Sequence, residues 1–406
     1  MTVPRKRLRA ALDRVKPIVA TRTCKPILNC VRLEASGGAL KISASDGELS
    51  LATTIEAEGE LPVCVVPYAE LSRRIQASKT DNCSLTLENR GRKLLLSGGN
   101  VTHALFTQDP EVYPPARTEI EGEAITLDAL EFRKGLVAIE PAVAREPSRY
   151  AINGALFESV DTGTRLVATD GRRMVVVELC HAPNGYRGNV ILPARFMSLV
   201  RRLIDKKGDA PLELWIKPNV DKNKNRQPAH LSLVGPDWRL SSTEVEGDFP
   251  YYRDVIPHSA SKFVVNRVEL IETLREVALA TSLESNGVAT ELRPRSIRLS
   301  ADSPELGRST GSVRATFTGG GDSTIHAGFN CTYLLAALQT LNGERVVIDV
   351  GQNGCGSDGK VFGKPALLYV EHDGSIRWIV MPLNMGYPAT RKYLGCNFRD
   401  EKEEAA

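Results

Sequence analysis

The sequence predicts an α+β protein built from three copies of one module, with antiparallel sheet covered by helices on one face. Two landmarks carry the prediction, and both recur in the same order about 130 residues apart. The first is an apolar strand running into an Asp: Leu40 to Asp46, Leu166 to Asp170 and Ile297 to Asp302. The second is an apolar strand that breaks at a turn residue and enters an amphipathic helix: Val63 to Pro67, Val190 to Pro193 and Ile325 to Gly328. Two independent landmarks at one spacing point to duplication.

Taken in order, each copy opens with apolar residues near helical spacing. They are Leu8, Leu12, Val15 and Val19, then Leu130, Leu136, Val137 and Ile139, then Leu270, Leu274, Val277 and Ala278. The second landmark predicts helices over 69–77, 196–204 and 333–341. Short alternating runs bounded by Gly, Asn, Asp and Pro follow, at 94–97, 212–216, 231–234 and 346–350, and these read as antiparallel strands. The repeat places domains at 1–122, 123–257 and 258–385, with a partly disordered C-terminal extension over 386–406. Pro218 to Pro228 reads as a long, polar, basic hairpin loop.

Composition fits an ordinary globular chain: 406 residues, 42% hydrophobic, 25% charged, net charge +3. No run reaches the roughly 18 apolar residues of a membrane span, and the basic N-terminus leads into a polar amphipathic helix, so a cytoplasmic protein with no membrane partner is expected. Cys24, Cys30, Cys64, Cys83, Cys180, Cys331, Cys355 and Cys396 lack paired spacing and read as reduced, mostly buried thiols. The six histidines are dispersed, so no metal and no cofactor is expected. Gly354 to Gly359 fits a dinucleotide fingerprint in letters only, because the following segment reads as strand and no helix N-terminus is there to hold a phosphate. Asp46, Asp170 and Asp302 recur at one structural position, which favours a turn-forming role over catalysis. Basic residues crowd the helical regions: Arg5, Lys6, Arg7, Arg9, Arg14 and Lys16 in the first copy, with Arg73, Arg74 and Lys79 later in it, and Arg195, Arg201, Arg202, Lys206 and Lys207 in the second. Recurrence on equivalent helices favours contact with phosphate backbone, which carries no sequence information and permits sliding.

Four ordered segments carry a family resemblance. They are Arg22-Thr-Cys-Lys-Pro26-Ile27-Leu28-Asn29, Arg149 to Glu158 followed by Val167 to Met174, Phe249 to Pro257, and Val380 to Leu383. Over nearly the whole chain the sequence resembles the bacterial sliding clamps, the beta subunit of DNA polymerase III. The resemblance implies a ring-shaped head-to-tail homodimer of three clamp domains per chain, with helices on the inner face around double-stranded DNA and sheets outside. The implied function is non-catalytic: a processivity factor that encircles duplex DNA without sequence preference. A clamp-derived scaffold that keeps its peptide pocket but does not encircle DNA is the alternative.

The same resemblance implies a pocket between the second and third domains for short linear motifs of DNA polymerases, the clamp loader and repair proteins. Matching positions are Ile152, Thr169, Gly171, Arg173, Met174, Pro250, Val255, Ile379, Val380, Met381, Pro382 and Leu383. For DNA it implies Arg22, Arg149, Tyr150 and Arg195, to which charge adds Arg201, Arg202 and Lys206. Leu279 is the residue assigned to the apolar part of the dimer interface. Three departures stand out: Arg172 where His is common, Asp254 where a basic residue is common, and an extension beyond Leu383 placed to tune access to the pocket.

Overall fold

The computed structural model describes residues 1–383 except 89–91, 115–121, 146–149, 162, 180–187, 205–209, 221–225, 258–260, 283, 321–323, 351–353, 356–360 and 363–364. Among the described residues there are six α-helices, two per repeat: α1 (Arg5–Val15), α2 (Tyr68–Ala77), α3 (Ala129–Ile139), α4 (Ala194–Leu203), α5 (Arg267–Val277) and α6 (Cys331–Thr340). Each follows a strand, and the residue at the corner explains why the strand ends there. Pro4, Pro67 and Pro193 hold extended backbone before α1, α2 and α4. Asp128 caps α3 by accepting the Glu131 N–H at 2.7 Å. The third repeat uses asparagine: Asn266 Oδ1 accepts the Val268 and Glu269 N–H groups, and Asn330 Oδ1 accepts those of Thr332 and Tyr333. The expected corner at Gly328 is therefore displaced, because the strand Ile325–Asn330 runs on to the residue able to cap the helix.

Helical spacing translates into one buried stripe per helix. In α1 the buried residues are Leu8, Ala11, Leu12 and Val15, and in α5 Leu270, Ile271, Leu274 and Val277. Val137, expected in the stripe of α3, is 37% exposed, since Leu136 and Ile139 fill the buried face on either side of it. α1 packs on α2 and α5 on α6.

Between and after its helices each repeat lays down the same strands. The first, Cys30–Ser36, Ala39–Ser45, Ser50–Glu56 and Leu61–Pro67, matches Gly154–Val160, Gly163–Thr169, Arg173–Leu179 and Asn189–Pro193, and then Gly287–Arg293, Ser296–Ser303, Gly307–Phe317 and Ile325–Asn330. Three more strands complete each copy: Asn82–Glu88, Lys93–Gly98 and Val101–Phe106; Leu212–Val220, Arg226–Val234 and Trp238–Thr243; Arg345–Val350, Ala366–Val370 and Asp373–Val380. All described pairings are antiparallel. The basic hairpin loop is shorter than expected, because its flanking strands reach Val220 and restart at Arg226 across a register shift between Lys217 and Asn219. Its tip, residues 221–225, lies outside the described residues, as do most of the Gly354 to Gly359 run and all of the 386–406 extension.

Contacts group into two compact units. The first holds Met1–Leu136, Glu158–Thr164 and Cys180–Glu246, and the second Val137–Phe157, Arg165–Leu179 and the chain from Gly247 onward. The first contains an eight-stranded sheet in which Ser50–Glu56 pairs with Trp238–Thr243, Leu51 opposite Leu240. It also contains a four-stranded sheet that ends on Val101–Phe106. In the second, Arg173–Leu179 pairs with Asp373–Val380, Met174 opposite Ile379, and the sheet continues through the third repeat to Ile325–Asn330.

Gly122, beside the strand Glu123–Leu127, has φ +110°, and a Cβ there would sit 2.1 Å from the Ile216 carbonyl oxygen. Gly122→Ala therefore meets both a left-handed backbone and a backbone clash, and should cost about 3 kcal/mol in denaturant unfolding. Cys24, Cys30, Cys64, Cys83 and Cys331 are free thiols, Cys24 exposed and the other four buried. Burial pushes the Cys64 thiol up to about 12, the Cys30 thiol to about 11 and the Tyr113 phenol to about 12. Tyr113 donates to the Cys30 carbonyl at 3.2 Å and accepts the Ser45 N–H at 3.0 Å. These groups are held neutral with pKa values above their unfolded ones. Their contribution to stability is thus complete below the unfolded values and is lost as pH rises through about 9 to 12, which denaturant midpoints measured across that range will show.

Candidate functional site

The segment Thr169 to Arg173 is a turn whose carboxylate is spent on its own backbone. Asp170 Oδ1 accepts the N–H groups of Arg172 and Arg173, each at 3.0 Å, and Oδ2 accepts Arg173 Nε at 3.0 Å. The Thr169 hydroxyl donates to the Arg173 carbonyl at 2.8 Å and accepts the Gly171 N–H at 3.1 Å. Gly171 takes φ +83°, which a side chain would oppose. Asp46 forms the equivalent turn, accepting the Glu48 and Leu49 N–H groups at 2.9 and 2.8 Å. Asp302 departs from the expected role: it lies within the strand Ser296–Ser303, opposite Arg308, because the third copy's hairpin turns later.

Locked in this way, the turn presents Arg173. Its guanidinium lies 4.4 Å above the Tyr333 ring, a cation–π contact with a residue that Asn330 fixes in the first turn of α6. The Arg172 carbonyl accepts the Met381 N–H at 2.9 Å, and the Gly328 carbonyl accepts that of Leu383 at 2.8 Å, so residues 381–383 are held between the turn and the strand Ile325–Asn330. Met381 is 37% exposed, whereas Met174, Ile379 and Val380 are buried. Thr169, Gly171, Arg173 and Met174 are thereby brought together with Ile379, Val380, Met381, Pro382 and Leu383.

A second group enters through the segment before the third repeat. The Ala151 N–H donates to the Asp248 carbonyl at 3.2 Å, which sets Ile152 near the chain leading to Pro250. Tyr252 is buried, and its hydroxyl accepts from Arg165 at 3.0 Å, while Val255 beyond it is 39% exposed. Arg165 also pairs with Glu178 at 3.0 Å, and Glu178 takes Arg377 as well. Burial opposes the Arg165 charge, but Tyr252 and Glu178 outweigh it and hold its pKa above the ordinary arginine value. Sequence alone gives Tyr333 no signal beyond its place three residues after the capping Asn330. A small apolar cavity below α5 and α6, lined by residues such as Leu274, Phe329 and Leu338, is an interior packing gap in the third repeat.

The basic residues divide into two sets. Arg7 pairs with Glu56, Arg9 with Asp13 at 3.8 Å, Arg14 with Asp237 at 2.5 Å, and Arg73 and Arg74 with Glu70. Arg195 pairs with Asp46 and lies 3.4 Å from the Pro17 carbonyl, its side chain still half exposed. Lys6, Lys16, Arg22 and Arg202 are exposed, Arg201 is partly exposed, and Tyr150 is 50% exposed. Arg149 and Lys206 lie outside the described residues.

Sheet edges are as informative as side chains. Two junctions between repeats are built alike, Ser50–Glu56 on Trp238–Thr243 and Arg173–Leu179 on Asp373–Val380. The remaining strands of the same kind are Gly307–Phe317 and Val101–Phe106. Val101–Phe106 ends its sheet, and residues 307–314 are paired with Ser296–Ser303 alone among the described residues. Leu279 is 77% exposed, and so is Phe106 at 73%, which the sequence reading passed over. Matching Val101–Phe106 to its repeat mates would have found it.

A chain that builds one junction twice and, among the described residues, leaves the matching strands of a third without a cross-repeat partner has the architecture of a clamp that closes by adding copies. Profiles of the DNA polymerase III beta subunit match the N-terminal domain at residues 1–117, the central domain at 126–251 and the C-terminal domain at 253–383. The chain belongs to the DNA polymerase III beta subunit family. It is 26% identical over 387 residues to the beta sliding clamp of Vibrio cholerae, covering 95% of this chain and 99% of that one. To the beta sliding clamp of Pseudomonas aeruginosa it is 25% identical over 390 residues, with the same coverage. A crystal structure of the Pseudomonas aeruginosa subunit superposes with TM-score 0.82 at 24% identity, over 94% of this chain and 99% of that one. The Bacillus subtilis sliding clamp superposes with TM-score 0.82 at 20% identity, over 94% and 98%. The protein is a DNA sliding clamp of replication, a processivity factor and not a catalyst. Among the described residues no helix is long and apolar enough to cross a membrane.

Proposed function

We propose that two copies close head to tail into a ring, Val101–Phe106 of each adding to the 307–314 edge of the other with Phe106 and Leu279 supplying apolar contact. The observation that carries this reading is the unfilled third junction, whose two halves match junctions already closed within the chain. Head-to-tail contacts that close by rotation give a finite ring, and strand addition satisfies the free backbone groups of both edges. Domains at 1–122, 123–257 and 258–385 accord with this use of the repeat. The DNA-binding residues in this reading are Arg22, Tyr150, Arg195, Arg201 and Arg202, with Arg149 and Lys206 assigned to the same role from the sequence alone.

The ring docks short linear motifs of the replicative polymerase and of its loader on the surface of Arg173, Tyr333, Met381, Pro382, Leu383 and Val255. Support comes from half-exposed apolar side chains on a rigid turn and strand, which suit a peptide anchor with little ordering cost. A cytoplasmic location follows from work on bacterial DNA. The test is loading onto nicked circular DNA with the cognate clamp loader and ATP. Retention that vanishes on linearising the circle is expected; retention unaffected by linearisation would reduce the protein to an ordinary phosphate binder.

A further inference from the structure

The helices do not share the basic charge. Helix α1 carries five basic residues against Asp13, and α4 carries Arg195, Arg201 and Arg202 with no acid. In the third repeat the balance reverses. The exposed face of α5 holds Glu269, Glu272 and Glu276 against Arg275, and α6 has no charged residue at all. Arg267, the other arginine of α5, is turned inward onto the Gly343 and Leu338 carbonyls at 2.7 and 3.1 Å. The third repeat does not lack arginine; Arg298, Arg308 and Arg314 sit on its strands instead.

We infer that the duplex is gripped by the helices of the first and second repeats and that those of the third stand off from it, held away by the carboxylates of α5. The inference rests on the encirclement reading and sharpens it. Within the gripping repeats, Lys6, Lys16, Arg22 and Arg202 carry the contact, because they are exposed and have no carboxylate partner among the described residues, whereas Arg7, Arg9, Arg14 and Arg195 are already paired. A paired arginine must surrender its carboxylate to meet a phosphate and releases less counterion in doing so. Around a two-fold ring this sets two gripping pairs of repeats opposite one another, with a third repeat that leaves the backbone free between them on each side.

The experiment places a benzophenone amino acid singly at Lys6, Arg202, Glu272 and Gln339 of the full-length protein, loads each variant onto nicked circular duplex and counts DNA adducts after illumination. Adducts from the first two positions at least tenfold above those from Glu272 and Gln339 are expected. Comparable yields from the α5 and α6 positions would overturn the inference while leaving encirclement intact. Loss of retention on the circle in the unsubstituted protein would sink the encirclement reading, and this inference with it. A salt titration gives a second readout. Lys6→Ala, Lys16→Ala and Arg202→Ala should each lower the slope of log affinity against log salt by about 0.9 per protomer, about 1.8 for the ring. Glu272→Lys with Glu276→Lys should steepen that slope, and an unchanged slope in the lysine pair would count against a third repeat kept off DNA by its charge.

Discussion

Phe106→Asp is expected to turn the ring into a monomer that still folds and still binds partner peptides but is no longer retained on circular DNA. Phe106 is 73% exposed at the end of a terminal strand, so the substitution disturbs little in the isolated chain. In the dimer the same position meets apolar surface beside a newly formed strand pair, and a carboxylate there loses its water without gaining a partner. A cost of about 3 kcal/mol at each interface weakens each by more than a hundredfold, and the closed ring has two of them. Sedimentation at micromolar concentration will report the change, and Leu279→Asp should reproduce it from the opposite edge. A dimer that persists in both variants would mean that the ring closes elsewhere.

Met381→Asp is expected to abolish peptide docking while leaving the dimer and its retention on DNA untouched. Met381 follows the last strand, with its N–H held by the Arg172 carbonyl and its side chain 37% exposed next in the chain to buried Ile379 and Val380. Loss of a central apolar anchor typically costs 2 to 4 kcal/mol, so affinity for a polymerase-derived peptide should fall between about thirtyfold and a thousandfold. Tyr333→Ala should act in the same direction by freeing Arg173 from the ring it stacks on, with a smaller loss of about tenfold. Fluorescence anisotropy of a labelled peptide separates these effects, and unchanged affinity in both variants would place the docking surface elsewhere.

Much of the fold could be read directly. Leu8, Leu12 and Val15, and likewise Leu270, Leu274 and Val277, are buried where their spacing places them, because helical periodicity acts within a few turns. Asp46 and Asp170 form the turns their recurrence suggested, since an aspartate reaching backbone N–H groups two or three residues on is a local device. Where local rules compete, tertiary chemistry decides: Gly328 has the composition of a corner, yet the cap at Asn330 sets where α6 starts. The hairpin around Pro218 to Pro228 looked like loop by composition, yet cross-strand pairing carried strand through to Val220 and from Arg226.

The sites were legible in parts. The Thr169 to Arg173 turn and the Val380 to Leu383 segment stand out as separate motifs, but their meeting depends on Arg173 pairing with Val380, more than two hundred residues away in the chain. Tyr333 belongs to the same surface through a ring contact that nothing in its neighbourhood announces. Basic charge on the helices was plain from composition, whereas its cancellation was not: Glu56 and Asp237, distant in sequence, are the acids that occupy Arg7 and Arg14.

Information about periodicity, turns and duplication is local or repeats itself, so the chain alone determined three α+β modules, their order and the aspartate turns of the first two. Which strand edges stay open, which arginines keep their charge available and which apolar residues reach solvent are outcomes of pairing between distant segments. Those were settled only when antiparallel registers brought Ser50–Glu56 to Trp238–Thr243 and Arg173–Leu179 to Asp373–Val380 and left the third junction unmade, because hydrogen bonds and ion pairs form between whatever groups the fold makes neighbours.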